Sequence, residues 1–321
     1  MKILAIESSC DETGAAIVVN DNEVLGEALF SQIDIHEKFG GVVPEIASRH
    51  HVLKILAVID EALKKANMEV KDVDIIAVTA YPGLLGSLIV GNIAAETLSF
   101  VYNKPLIPVD HLLGHVFVNN LEEKLEYPFL TLIVSGGHTE LMLVRSPSDT
   151  EVIGTTLDDA AGEAFDKVAK VLGLGYPGGP KIEKKALEGK PIYKFPKPLI
   201  KDNSYNFSFS GLKTAVLNLV NEKKMRDEII DVENIAASFQ KTLIETLLEK
   251  TVKLAKEEKV KQVVLSGGVA ANKTLREEFR KVITEDVKVK FSYPSLKYCT
   301  DNAVMIGIAG YYKYLSTLER K

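Results

Sequence analysis

Apolar and polar positions change their period several times along the chain. Ile3-Leu4-Ala5-Ile6 is an unbroken apolar run, Glu7 to Gly14 is polar, and Ala15 to Val19 is apolar again. Run, turn and run predict two strands joined by a hydroxyl-rich loop. From Ile46 to Ala66 the apolar positions 46, 53, 56, 59 and 63 follow helical spacing. Asp74 to Thr79 reads as a buried strand that ends in Tyr81-Pro82-Gly83, and a long helix begins near Ser87. Leu84 to Val101 carries Asn92 and Glu96, so it reads as a buried helix of a soluble protein and not as a membrane span. The first third is therefore β-β-α-β-α.

The pattern then repeats. Pro128 to Val144 is again strand, polar glycine turn and strand. Helices are predicted over Gly162–Leu172, from about Ile235 to Glu257, and from about Thr300 to the end. A looser Pro- and Lys-rich segment is expected from about Gly173 to Ser210, and Val263-Val264-Leu265 reads as a strand before Ser266-Gly267-Gly268. Two halves that each open with strand-turn-strand predict a duplicated α/β fold of two similar domains with a cleft between them. The expected division is 1–110 and 111–301, with the closing stretch 302–321 packing back on the first domain.

Composition narrows the class. A chain of 321 residues with 46% hydrophobic and 26% charged residues is neither disordered nor fibrous. Lys plus Arg is 39 against 44 Asp plus Glu, a net charge of −5, so nucleic-acid binding would need a local basic patch or a partner. Glu7 follows the first apolar run too soon for a secretory leader. Two cysteines, Cys10 and Cys299, stand far apart, and a cytoplasmic protein with reduced thiols is expected.

Several motifs carry candidate chemistry. His111-Leu112-Leu113-Gly114-His115 sets two imidazoles at i and i+4, on one helix face and close enough to share a metal. The zinc-protease pattern has the same spacing but puts a Glu where this chain has Leu112. A third ligand is needed. Asp301 is one source, although Thr300 also reads as a helix N-cap that would make Asp301 a first-turn acid; Cys299 is the rival. Ser135-Gly136-Gly137-His138-Thr139 follows a strand, and its glycines let backbone N–H groups approach a phosphate, unless the turn is only a tight hairpin. Ser266 to Asn272 repeats this chemistry before a helix. Neither has the Gly-Lys-Ser/Thr ending of a P-loop. Asp166 and Glu183 flank the turn Tyr176-Pro177-Gly178-Gly179-Pro180, as ribose acceptors or as solvated loop acids. Asp11 and Glu12 are candidate bases or cation partners. Lys181 to Lys201 holds seven lysines and two glutamates with Tyr193 and Phe195 interleaved, a composition that suits RNA or a solvated linker.

Taken together, Glu7-Ser-Ser-Cys-Asp-Glu-Thr13, His111-x-x-Gly-His115, Val134-Ser-Gly-Gly-His-Thr139, Gly162-Glu-Ala-Phe-Asp166, Tyr176-Pro-Gly-Gly-Pro180 and Ser266-Gly-Gly-Val-Ala-Ala-Asn272 resemble the TsaD family along the whole chain. These are tRNA threonylcarbamoyladenosine biosynthesis proteins, and the first motif is similar to the bacterial branch. The resemblance implies a duplicated actin-like, sugar-kinase and Hsp70-type ATPase fold. It implies a threonylcarbamoyl transfer from threonylcarbamoyl-AMP to N6 of the tRNA adenosine 3′ of the anticodon, with release of AMP. It implies one divalent transition metal, Fe²⁺ in preference to Zn²⁺, on His111, His115 and Asp301. The adenylate is implied along Val134, Ser135, Gly136, Gly137, His138, Asp166, Gly179, Glu183 and Asn272. The family commonly has Asp where this chain has Glu183. Glu12 joins the two histidines as a catalytic candidate, through the amine proton. Implied partners are the paralogue TsaB, packing near 46–66 and 87–101, the ATPase TsaE, and TsaC as supplier of the adenylate; no membrane is implied. Two other classes compete on the residues alone: a metalloprotease, opposed by Leu112, and a kinase-like ATP module, which has no use for paired histidines.

Overall fold

The computed structural model describes residues 1–199 and 203–318. Lys201 of the basic segment and residues 319–321 of the expected closing stretch lie outside the described residues. The chain divides into two units, Met1–Leu125 with the described residues from Pro294 onward, and Glu126–Tyr293.

The first unit begins with β1 (Lys2–Glu7), β2 (Glu12–Val19) and β3 (Glu23–Ser31), then α1 (Ile33–Glu37) and α2 (Pro44–Lys65). It continues with β4 (Ile75–Tyr81), α3 (Leu85–Tyr102), β5 (Leu106–Asp110) and α4 (His111–Phe117). The sheet order is β3-β2-β1-β4-β5, antiparallel across β3, β2 and β1 and parallel across β1, β4 and β5. Both faces of β1 and β2 are buried, which is why their sequences are apolar runs and not alternations.

The second unit holds β6 (Phe129–Val134), β7 (Thr139–Ser146), β8 (Asp149–Thr155), α5 (Ala161–Val171), α6 (Gly178–Glu188), α7 (Ser210–Met225) and α8 (Val232–Glu257). After β9 (Gln262–Ser266), α9 (Lys273–Val282) and β10 (Lys290–Ser292), the chain returns to the first unit as α10 (Ala303–Leu318). The second sheet order is β8-β7-β6-β9-β10, the first order repeated. In the first unit α10 packs on β1, β2 and α4, and His111 to Leu125 is part of that unit.

Four elements depart from expectation. The outer strands of the two hairpins, β3 and β8, are not expected from the sequence, because Gly26 and Glu27 interrupt the apolar positions of β3 and exposed Asp149 and Glu151 open β8. A helix, α6, stands inside the segment expected to be loose, since Pro180 falls in its first turn, where proline is tolerated. Apolar composition predicts a buried α3, yet only 22% of it is inside the protein. By length and composition alone α3 is also long and apolar enough to cross a membrane. Its outward face shows Leu85, Ile89, Ile93 and Phe100, and α2, which packs beside it, shows Val52, Leu53 and Leu56.

Candidate active site

In the first unit three adjacent parallel strands, β1, β4 and β5, end side by side, and their carboxyl ends carry the polar groups. The Asp110 side chain starts α4 by accepting from the N–H groups of Leu112 (2.7 Å) and Leu113 (3.3 Å). His111 is thus the first helical residue and His115 lies one turn on. Gly114 between them lets α10 come close, because a Cβ there would stand 3.0 Å from Ile306 Cδ1.

The two imidazoles pack edge to face, with ring centroids 4.8 Å apart. Nε2 of His115 is 3.1 Å and Nε2 of His111 is 3.4 Å from the same Asp301 carboxylate oxygen. One donor atom from each of the three residues lies within 4.8 Å of the others, so the set fits a single metal ion. Asp301 is not a first-turn acid. Asn302 caps α10 through Met305 N–H (3.0 Å), which leaves Asp301 ahead of the helix and turned to the histidines. Cys299 is outside this set; its thiol donates to the Ser295 carbonyl at 3.4 Å.

Charge in this region is concentrated. Burial works against charging His111, but the Asp301 and Glu7 carboxylates outweigh it and hold the imidazole well above its usual value. Burial likewise opposes the Asp301 carboxylate, and the His111 and His115 rings pull it well below the usual range. Glu12, at the start of β2, accepts from Ser31 Oγ at 3.1 Å. Burial first, then the charges of Asp11 and Asp301, push its carboxyl well above the usual range. Glu7, to which the sequence motif alone gives no role, sits at the end of β1 against Nδ1 of His111 (3.2 Å). An acid directly after a buried apolar strand is the sequence signal that could flag it.

The glycine turn belongs to the second unit. Val134 ends β6 and pairs with Thr139 of β7, so Ser135 to His138 is a four-residue hairpin loop. Ser135 N–H donates to the His138 carbonyl, and Gly162 N–H donates to the Ser135 carbonyl (3.1 Å), seating the loop on the start of α5. Gly136 and Gly137 have ordinary negative φ, and a Cβ at either would meet nothing within 4 Å; the same holds for Gly179. Neither backbone strain nor packing calls for glycine at these three positions. What remains is open space over exposed N–H groups, which suits a ligand that approaches the backbone. Gly162 and Gly178 differ: a Cβ on either would strike backbone at 2.5 and 2.6 Å.

Asp166, Glu183 and Asn272 share a structural duty, each accepting a backbone N–H at the start of a helix. Asp166 accepts from Gly178 N–H (2.7 Å) at the start of α6, and Glu183 accepts from Lys273 N–H (2.6 Å) at the start of α9. Asn272 caps α9 through Leu275 N–H (2.8 Å) and donates to Gln240 (2.8 Å). Both its amide oxygen and its amide nitrogen are engaged, while each acid keeps a second oxygen beyond the one used for capping. Burial raises the Asp166 carboxyl against the pull of the Gly178 N–H.

Two lysines of the basic segment are neutralised, mainly by glutamates distant in sequence. Lys185 pairs with Glu188 and Glu233, and Lys197 with Glu245 and Glu249. Lys184, Lys190 and Lys194 remain exposed. The Tyr193 and Phe195 rings are inclined by 30° with centroids 6.4 Å apart.

Comparison with known proteins adds the family. The model of tRNA N6-adenosine threonylcarbamoyltransferase (TsaD) matches residues 23–308. A protein of that name from Staphylococcus carnosus is 52% identical over 312 residues, which is 97% of this chain and 91% of the relative. Its Bacillus subtilis counterpart is 52% identical over 310 residues, 97% of this chain and 90% of the relative. Among solved structures, HypF of T. kodakarensis aligns with a TM-score of 0.68 at 16% identity, over 98% of this chain and 48% of that one. The Acidaminococcus fermentans (R)-2-hydroxyglutaryl-CoA dehydratase component A aligns with a TM-score of 0.55 at 15% identity over both whole chains. At such identities the likeness is one of fold, the duplicated actin-like, sugar-kinase and Hsp70-type architecture.

Proposed function

The chain belongs to the tRNA N6-adenosine threonylcarbamoyltransferase family, and on that premise we propose the following course for its reaction. The acceptor is N6 of the adenosine 3′ of the anticodon, in tRNAs reading codons that begin with adenine, and the donor is threonylcarbamoyl-AMP. N6 attacks the carbamoyl carbon of the mixed anhydride. The new C–N bond replaces the C–O bond to phosphate, AMP departs, and N6 loses a proton. The observation that carries a metal-assisted form of this reaction is the convergence of His111, His115 and Asp301 on one point.

The donor set of two imidazoles and a carboxylate suits Fe²⁺ or Zn²⁺ with open positions, and Fe²⁺ is the favoured occupant. When bound, such an ion supplies Lewis acidity toward the threonylcarbamoyl group. The protein's own groups do the rest. Exposed N–H groups at Gly136 and Gly137 receive the phosphate that leaves with AMP. Gly179 leaves room beside Asp166 and Glu183, whose second oxygens accept from ribose hydroxyls. Val134, Ser135 and His138 shape the turn, and Asn272 contributes by fixing the start of α9. Glu12 is assigned to the amine proton, which its buried carboxylate takes up once ionised.

The exposed apolar faces of α2 and α3 support a protein partner, assigned to the paralogue TsaB, since an uncovered patch of that kind is unusual on a monomer. TsaE and a TsaC-type adenylate synthase complete the proposed set, and a cytoplasmic site of action follows from tRNA as acceptor. The test is to incubate the chain with tRNA, threonylcarbamoyl-AMP and TsaB, digest the tRNA, and look for threonylcarbamoyladenosine. Modified nucleoside that appears only when the chain is present supports the reading; none under any partner combination defeats it.

A further inference from the structure

Glu7 is fully buried, and its one ionic partner among the described residues is His111. A carboxylate in such a place is costly unless its oxygens are satisfied. Here one oxygen accepts from Ser9 N–H (2.5 Å). The other faces both Thr79 Oγ1–H (2.5 Å) and Nδ1 of His111 (3.2 Å). The three groups come from neighbouring strand ends: Glu7 closes β1, Thr79 lies in β4, and His111 follows β5. The sheet therefore fixes the carboxylate before the histidine reaches it.

We propose that Glu7 is the positioning residue of the metal set. It accepts the Nδ1 proton of His111 and so leaves the Nε2 lone pair aimed at the point shared with His115 and Asp301. The inference rests on the reading of those three residues as a metal site. Ser9 Oγ also approaches His111 Nδ1, at 3.1 Å. A hydrogen bond to an ionised acceptor is roughly twice as strong as one to a neutral hydroxyl, so the carboxylate sets the tautomer. His115 lacks this device; its Nδ1 is buried without a hydrogen-bond partner among the described residues. One ligand is thus oriented by a carboxylate and the other by packing alone. Thr79 acts one step further back, by holding the carboxylate oxygen that His111 meets.

The test uses Co²⁺ as probe on the full chain, with affinity from chelator competition and geometry from the visible absorption bands. Thermal unfolding of the metal-free proteins checks the fold. Glu7→Gln should weaken Co²⁺ binding about 10- to 100-fold and shift the bands. Thr79→Val should weaken it less, in the same direction, and Thr79→Ser should restore it. Ser9→Ala should leave affinity close to wild type. If Glu7→Gln does not fold, the Thr79 pair decides alone. Wild-type affinity and spectrum in both Glu7→Gln and Thr79→Val, beside a wild type that binds one Co²⁺, would overturn the positioning role and spare the metal site. A wild type that binds no Co²⁺ would overturn both.

Discussion

The two units share one strand order, yet their first hairpins end in opposite chemistry. From the end of β1 to the start of β2 the first unit places Glu7, Ser8, Ser9, Asp11 and Glu12, all buried, and Glu7 meets the neighbouring His111. After β6 the second unit places Gly136 and Gly137, exposed and with open space where a side chain would stand. Beside β1 stands Thr79, aimed at Glu7; beside β6 stands Gly267, with φ 89° and no room for a Cβ, which would strike the Val134 carbonyl. A duplicated scaffold thus presents two tools. One hairpin presents carboxylates beside an imidazole and the other presents bare backbone. Substitutions should therefore fail in different ways in the two places.

The largest effect belongs to the side-chain hairpin and its histidines. His111→Ala with His115→Ala should take bound metal from one per chain to none, as measured by elemental analysis. Transfer should fall on the order of 10³-fold or more, the equivalent of several kcal/mol of lost charge stabilisation. Equal metal in both proteins would end the contrast. In the backbone hairpin, Gly136→Ala meets no atom within 4 Å, so its melting temperature should match wild type. Its KM for the adenylate should rise about tenfold, as for the loss of roughly 1.4 kcal/mol of binding. The control is Gly162→Ala. Its Cβ would stand 2.5 Å from the Ser135 carbonyl, so it should lose about 1–3 kcal/mol of stability in denaturant titration.

Glu12 sharpens the comparison in another way. Its folded pKa lies above the ordinary carboxylate value because of burial and the charges of Asp11 and Asp301. The folded state therefore favours the protonated form, and ionising Glu12 as pH rises costs stability. Glu12→Gln should raise the melting temperature of the metal-free chain above pH 7 and lower transfer. A fall in both would make Glu12 structural.

Smaller effects fall outside the hairpins. Reversing Lys184, Lys190 and Lys194 to Glu should flatten the salt dependence of tRNA binding, by about 0.7–0.9 in log–log slope for each phosphate no longer neutralised. Lys185 and Lys197 are excluded from that set because their charges are already paired. His51 gives the smallest signal. Burial lowers its pKa below 6.5, against the pull of its bond to the Cys10 carbonyl. The unfolded chain takes up that proton first, so stability is complete above about pH 6.5 and declines as pH falls. His51→Gln should lessen that decline in melts run from pH 7 to 5.

What can be read from the sequence follows the range of the interactions. The repeated strand-turn-strand and the His-x-x-x-His face are local patterns, and both stand in the structure. The open glycine turn is legible as a motif, but its lack of neighbours is not. Distant partners are invisible. Glu233, Glu245 and Glu249 remove lysines from the basic segment, and Gln240 and Leu275 N–H occupy Asn272. Glu7 acquires its neighbours from β4 and from the start of α4, so no window around it could reveal them. Apolar composition cannot tell a core helix from one with an uncovered face, and the expectation of a buried α3 fails for that reason.

The central claim is that the His111, His115 and Asp301 set assists a transfer in which this chain does not hydrolyse ATP in the chemical step. A single-turnover reaction with preformed threonylcarbamoyl-AMP, tRNA and partner proteins, with no ATP added, tests it most directly. The account predicts modified tRNA and stoichiometric AMP from wild type, and neither from His111→Ala even where adenylate still binds. Full transfer by His111→Ala, or a wild type that is inactive until it hydrolyses ATP itself, would contradict it.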